Sequence, residues 1–168
     1  MNLFVPATFA TMLLLAIPGA GAAEIPLASG PIILEVTGLI ENTNSGPSAQ
    51  FDSALLETVP SHTTTTATPW YDGRHEFSGP LGSALLDMVG ASGTMLRITA
   101  LNDYVTEIPV SDFRDYTVVL ATALDGTALS VRDKGPIFVI YPFDEKPELN
   151  NETYYGRSAW QVKSIEVF

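Results

Sequence analysis

Four short clusters in this chain combine side chains suited to recognising a small molecule: Thr68-Pro69-Trp70, Asn102-Asp103-Tyr104, Arg132-Asp133-Lys134, and Arg157 with Trp160. Between them they supply aromatic rings, an amide, carboxylates and cations. A flat heteroaromatic ligand uses that mixture naturally. Trp70 or Tyr104 can stack on its ring, Asn102 or Asp103 can accept from an amidine-like edge, and Arg132, Lys134 or Arg157 can meet a carbonyl or an anionic tail. A purely structural account of the same residues is equally concrete. Trp70 and Trp160 serve in it as core aromatics, Asn102-Asp103 caps a turn, and the cations are solvated strand ends that answer nearby carboxylates.

Other chemistries find less material. His62 and His75 are the only imidazoles, too few for a zinc site or a Ser-His-Asp arrangement, and Ser83 lies in GSALL rather than in a nucleophile elbow. With no cysteine there is no disulfide, no thiolate metal ligand and no thiol nucleophile. Asp112, Asp115, Asp144 and Glu145 are acidic pairs spread over loops and read as solvated surface. Asn151-Glu152-Thr153 matches a glycosylation acceptor. Eight Lys and Arg against nineteen Asp and Glu leave a net charge of -11. That balance disfavours nucleic acid, which needs clustered cations, and points to small molecules or another protein as partners. An acidic exterior suits a basic counterpart.

Residues 1–23 carry no charged side chain, and the apolar run Met12 to Ile17 breaks at Pro18-Gly19 before the small-x-small pattern Ala20-Gly21-Ala22. We expect a signal peptide over residues 1–22, export, and a single mature domain over 23–168. The apolar run is shorter than the roughly 20 residues that span a bilayer, so no membrane insertion is expected after cleavage.

The positioning elements follow from pattern. Pro31–Ile40 reads as a first strand, Phe51–Val59 as a short helix capped by Asp52, and His62–Trp70 as a threonine-rich strand ended by Pro69. Tyr71–Pro80 reads as a loop and Pro80–Val89 as a second helix with Gly90 beyond its end. Thr94–Leu101 alternates, with Leu96, Ile98 and Ala100 on one side. Val105–Val110 is extended, and Ser111–Asp115 makes a helical turn. Thr117–Leu124 and Thr127–Val131 flank Asp125-Gly126, a type I′ hairpin signal. Val118–Ala123 and Ile137–Tyr141 are apolar on both faces and read as central strands. In Val131–Pro142 the cations Arg132 and Lys134 stand two apart at the start of a strand, which would turn both heads to one side. Ala159–Phe168 is a last strand. The sum is a β-dominated α+β domain with short helices.

Taken in order, VTGLI at Val36–Ile40, TPW at Thr68–Trp70, FSGPLGSALLDMVG at Phe77–Gly90, ALNDYVTEIPVSDF at Ala100–Phe113, RDKGPIFVIYP at Arg132–Pro142 and SAWQVKSIEV at Ser158–Val167 resemble the small exported proteins of the sulfite-oxidase-like, molybdopterin-binding family. The resemblance implies a mixed α/β fold of the sulfite oxidase type and a pocket for a pterin. Catalytic members hold molybdenum through the cofactor dithiolene and a cysteine thiolate, and this chain has no cysteine. The resemblance therefore leans to the subset that binds free pterins in the periplasm and reports them to a membrane-anchored sensor protein controlling cyclic di-GMP. A molybdopterin-dependent oxidoreductase is the alternative. The expected ligand-binding set is Trp70, Asn102, Asp103, Tyr104, Arg132, Lys134, Arg157 and Trp160, with no catalytic or metal-binding residue.

Overall fold

Period-two burial organises the sheet at the centre of the molecule. Along Met95–Ala100 the buried residues are Leu96, Ile98 and Ala100, with half-buried residues between them. One face of the strand packs on the core and the other carries Arg97 and Thr99. The structure is a computed structural model that describes residues 24–168; the expected leader at 1–22 lies outside the described residues.

The strands run in chain order: β1 (Leu34–Gly38), β2 (Ala49–Phe51), β3 (Ser61–Thr68), β4 (Tyr71–Pro80), β5 (Met95–Ala100), β6 (Val105–Pro109), β7 (Val119–Ala121), β8 (Ala123–Leu124), β9 (Thr127–Ala128), β10 (Phe138–Ile140) and β11 (Val162–Val167). Four short helices intervene: α1 (Ser53–Leu56), α2 (Gly82–Met88), α3 (Val110–Asp115) and α4 (Glu152–Arg157). The five-stranded sheet has the order β2-β1-β11-β5-β6, with β1 and β11 parallel and the other pairs antiparallel. A four-stranded sheet, β3-β4-β8-β9, and the pair β10-β7 complete the strands. This is a strand-dominated α+β fold with several sheets and few helices.

The main core gathers Leu34 and Val36 of β1, Leu96 and Ile98 of β5, Ile165 and Val167 of β11, Leu85 and Leu86 of α2, and Phe113 of α3. A smaller cluster holds Phe77, Val119, Ala121, Leu129, Phe138 and Ile140. Trp70 packs against both clusters and so joins them. The expected central strands are there as β7 and β10, paired antiparallel and buried along their full length, because a strand covered on both faces excludes polar residues. Asp52 caps α1 by accepting from the Leu55 amide at 2.8 Å. Asp125 and Gly126 take φ of 49° and 75°, the two positive values that a type I′ turn requires.

Four expectations are corrected. Tyr71–Pro80 is not a loop but β4, the longest strand, paired with β3 from Ser61↔Pro80 to Thr68↔Tyr71. Its first half faces solvent, so Asp72, Gly73, Arg74 and Glu76 are polar for exposure and not for irregularity. Val131–Asp133 forms a 3-10 turn followed by Lys134 at φ 71°, so Arg132 and Lys134 do not share a strand face. Asp112 is buried at 5% exposure rather than solvated, because Arg157 and Tyr141 both bond its carboxylate. Finally, α4 forms where only an acceptor pattern was read: the Asn151 side chain accepts from the Thr153 amide and starts a helix.

Candidate functional site

The β3–β4 hairpin turns through Pro69 and Trp70 alone, since Thr68 already pairs with Tyr71. The indole at its tip lies over the end of β10 and meets Phe138 edge to face, with ring centroids 5.2 Å apart. Tyr155 and Trp160 each approach the same indole at 6.0 Å, again edge to face, the geometry aromatic quadrupoles prefer. Trp160 is fixed from the backbone. It bridges antiparallel to Phe138, the Val139 amide donates to Ala159 O at 2.9 Å, and the Gln161 amide donates to Lys134 O at 3.0 Å.

The turn between β5 and β6 supplies the facing wall. Asp103 adopts φ 63°, the Asn102 side-chain oxygen accepts from the Tyr104 amide at 3.1 Å, and the Tyr104 hydroxyl donates to Gly156 O at 2.9 Å. This last bond clamps the turn to α4. Between these parts lies a cleft of about 310 Å³ lined by Trp70, Asn102, Tyr104, Glu152, Tyr155 and Trp160, with Gly156, Ser158 and Ala159 completing it. Its size sits at the lower end of the ~300–1,000 Å³ typical of small-molecule sites. A cleft of similar volume beside α1 is lined by Ile33, Leu56, Glu57, Ser78 and Leu129 among others, with no aromatic and no cationic side chain. The chemistry that recognises a ring therefore belongs to the first cleft.

Of the residues singled out in the sequence, the fold brings Trp70, Asn102, Tyr104 and Trp160 to this cleft. The other four do not line it. Asp103 accepts from Lys163 Nζ at 2.7 Å, and that hydrogen bond holds its carboxyl below the usual carboxylate range. Arg157 donates to Asp112 at 2.9 Å and lies 5.2 Å from the Tyr154 ring. Lys134 sets its ammonium 4.8 Å from the centre of the Tyr71 ring and 5.8 Å from that of Trp160. Arg132 is exposed in the 3-10 turn. Glu152 and Tyr155 line the cleft and were not singled out. Their signal lies in Asn151, a helix-capping residue placed just before an acid, a pattern that in the sequence doubles as a modification acceptor.

Beneath α4 lies a polar network. Asp112 accepts from the Tyr141 hydroxyl at 2.8 Å and from Arg157, and burial together with the Asp112 charge pushes the Tyr141 phenol far above its ordinary range. Neither the protein-family models nor the curated proteins yield a match to this chain. The residues present do not fit molybdenum. The chain has no thiolate donor, and among the described residues no three His, Asp or Glu side chains gather. They do fit a flat ring, for which the cleft offers stacking faces and polar atoms at its rim.

Proposed function

We propose that this is a non-catalytic pterin-binding protein with a sulfite-oxidase-like domain, exported to the periplasm, that relays pterin occupancy to a membrane-anchored signalling protein controlling cyclic di-GMP. The observation that carries the binding reading is the grouping of four aromatic side chains, Trp70, Tyr104, Tyr155 and Trp160, around one small cleft that also holds an amide and a carboxylate. The pterin bicycle stacks on an aromatic face. Its 2-amino-4-oxo edge presents adjacent N–H donors that give a carboxylate two parallel hydrogen bonds, and Glu152 takes the part first assigned to Asp103. Asn102 reads the neighbouring oxygen. The ligand is held, and no bond is made or broken.

Both tryptophans of the chain line the cleft, so all indole emission reports on it. Titration with oxidised and reduced pterins is expected to quench that emission saturably. An unchanged spectrum together with no heat in calorimetry overturns the binding reading. Stoichiometric molybdenum in protein purified from the exported fraction overturns the non-catalytic one.

A further inference from the structure

The hydroxyl groups that line the cleft are already committed to the protein. The Tyr104 hydroxyl donates to Gly156 O, the Tyr155 hydroxyl to Asn150 Oδ1 at 3.3 Å, and the Ser158 hydroxyl to Tyr154 O at 2.9 Å. The hydroxyl donors that line the cavity are thus turned into the protein. No Lys or Arg lines it. Arg157, the nearest in sequence, is committed to Asp112, and Lys134 rests closer to Tyr71 than to Trp160. The cleft keeps aromatic faces, whose quadrupoles attract positive charge, the neutral Asn102 amide, and the Glu152 carboxylate, its one charged side chain, which pairs with no Lys or Arg among the described residues. A protein carrying -11 adds a long-range field of the same sense.

We infer that the cleft selects a flat ring bearing a positive charge, an amidinium-like or N-alkylated heteroaromatic cation, over a neutral or anionic ring of the same size. The inference rests on the reading of this cleft as a ligand site and goes beyond it, since pterin is uncharged at neutral pH and the favoured class is a cation that the same walls hold more tightly. Aromatic walls with one carboxylate at the rim hold an organic cation by cation–π attraction and a charge-assisted contact. An anion finds there no free hydroxyl and no lining cation, only the neutral Asn102 amide with the Lys134 ammonium 5.8 Å from the Trp160 ring centre, and Glu152 repels it.

Three probes test this by calorimetry at neutral pH: 1-methylquinolinium, a permanent cation; quinoline, its neutral counterpart; and pterin. The expected result is that 1-methylquinolinium binds about tenfold more tightly than quinoline. In Glu152→Gln, an exposed substitution with an unchanged melting profile, most of that advantage disappears. Equal affinities, or quinoline ahead, overturn the charge preference, and pterin binding in that case leaves the proposed function standing. An advantage that survives intact in Glu152→Gln overturns the role given to the carboxylate. Binding of the cation with no binding of pterin upholds this inference and overturns the pterin reading, and silence from all three probes overturns both.

Discussion

Two cation–carboxylate links tie outlying elements to the body of the molecule, and their surroundings differ. Arg157 of α4 pairs with Asp112 of α3 with side chains only 22% and 7% exposed, and the Tyr141 hydroxyl completes the carboxylate's shell. His75 of β4 pairs with Asp125 of the β8–β9 turn at 2.7 Å with side chains 27% and 55% exposed. The first link carries a wall of the aromatic cleft; the second holds a surface hairpin. An ion pair's net worth over apolar groups is small in either setting, but the cost of breaking one rises steeply as water is excluded. The site therefore depends on the buried link.

The largest effect is expected from Asp112→Ala. It strands a guanidinium and a phenol in a largely dry space, and we expect about 3 kcal/mol of lost stability in urea unfolding. Ligand affinity should fall as well, although Asp112 does not line the cleft, because α4 loses the tether that sets Glu152 and Tyr155. Arg157→Met is expected to cost less, about 1–2 kcal/mol, since Asp112 keeps its bond from Tyr141 and the thioether fills the vacated volume. If Asp125→Ala matches Asp112→Ala in either measurement, burial is not what separates the two links.

The unequal legibility of these regions in the sequence has a physical cause. Strands buried on both faces announce themselves, so β7 and β10 were readable from VVLA and IFVIY, and β5 from its alternation. Asp125-Gly126 was readable because few residue pairs accept two positive φ angles. The β4 strand was not, since an exposed strand needs no apolar residues and shows polar ones that imitate a loop. Within the cleft, the aromatic residues at Trp70, Tyr104 and Trp160 were legible as conspicuous rings at strand ends. The partners of the charged residues were not, because Arg157 with Asp112 and Asp103 with Lys163 depend on contacts 45 and 60 residues apart. Local pattern carries no trace of such pairings, which is how Asp112 was assigned to the surface.

A third carboxylate, secured by backbone amides rather than by a cation, governs the acid side. Asp52 accepts from the amides of Leu55, Gly30 and Ser29, and those hydrogen bonds, Leu55's first, hold its pKa down. A depressed folded-state value stabilises the protein above the unfolded carboxylate pKa of ~3.9, and that contribution is lost as pH falls through the folded value. Asp52→Asn is therefore expected to narrow its stability gap to the native protein as the pH of urea melts is lowered below about 4. A gap that widens there means the carboxylate is not the acceptor that secures α1.

The smallest effect is expected at His75, where the sign of the pH dependence reverses. Nδ1 faces Asp125 Oδ2 at 2.7 Å and Nε2 faces the Asp72 carbonyl at 2.9 Å, so both ring nitrogens meet acceptors and only the imidazolium can donate to both. The Asp125 hydrogen bond is the leading cause that raises its pKa. A raised folded-state value contributes stability that is fully present below the unfolded pKa of ~6.5 and is lost as pH rises through the folded value. His75→Gln should thus lower the urea midpoint slightly at pH 5.5 and leave it unchanged at pH 9, about the two ends of that window. Ligand affinity should stay level throughout, since β4 meets the cleft only through the hairpin tip at Trp70. A midpoint gap that grows with pH would mean that the neutral ring is the stabilising form. A loss of ligand affinity in the variant would join the two links that exposure separates.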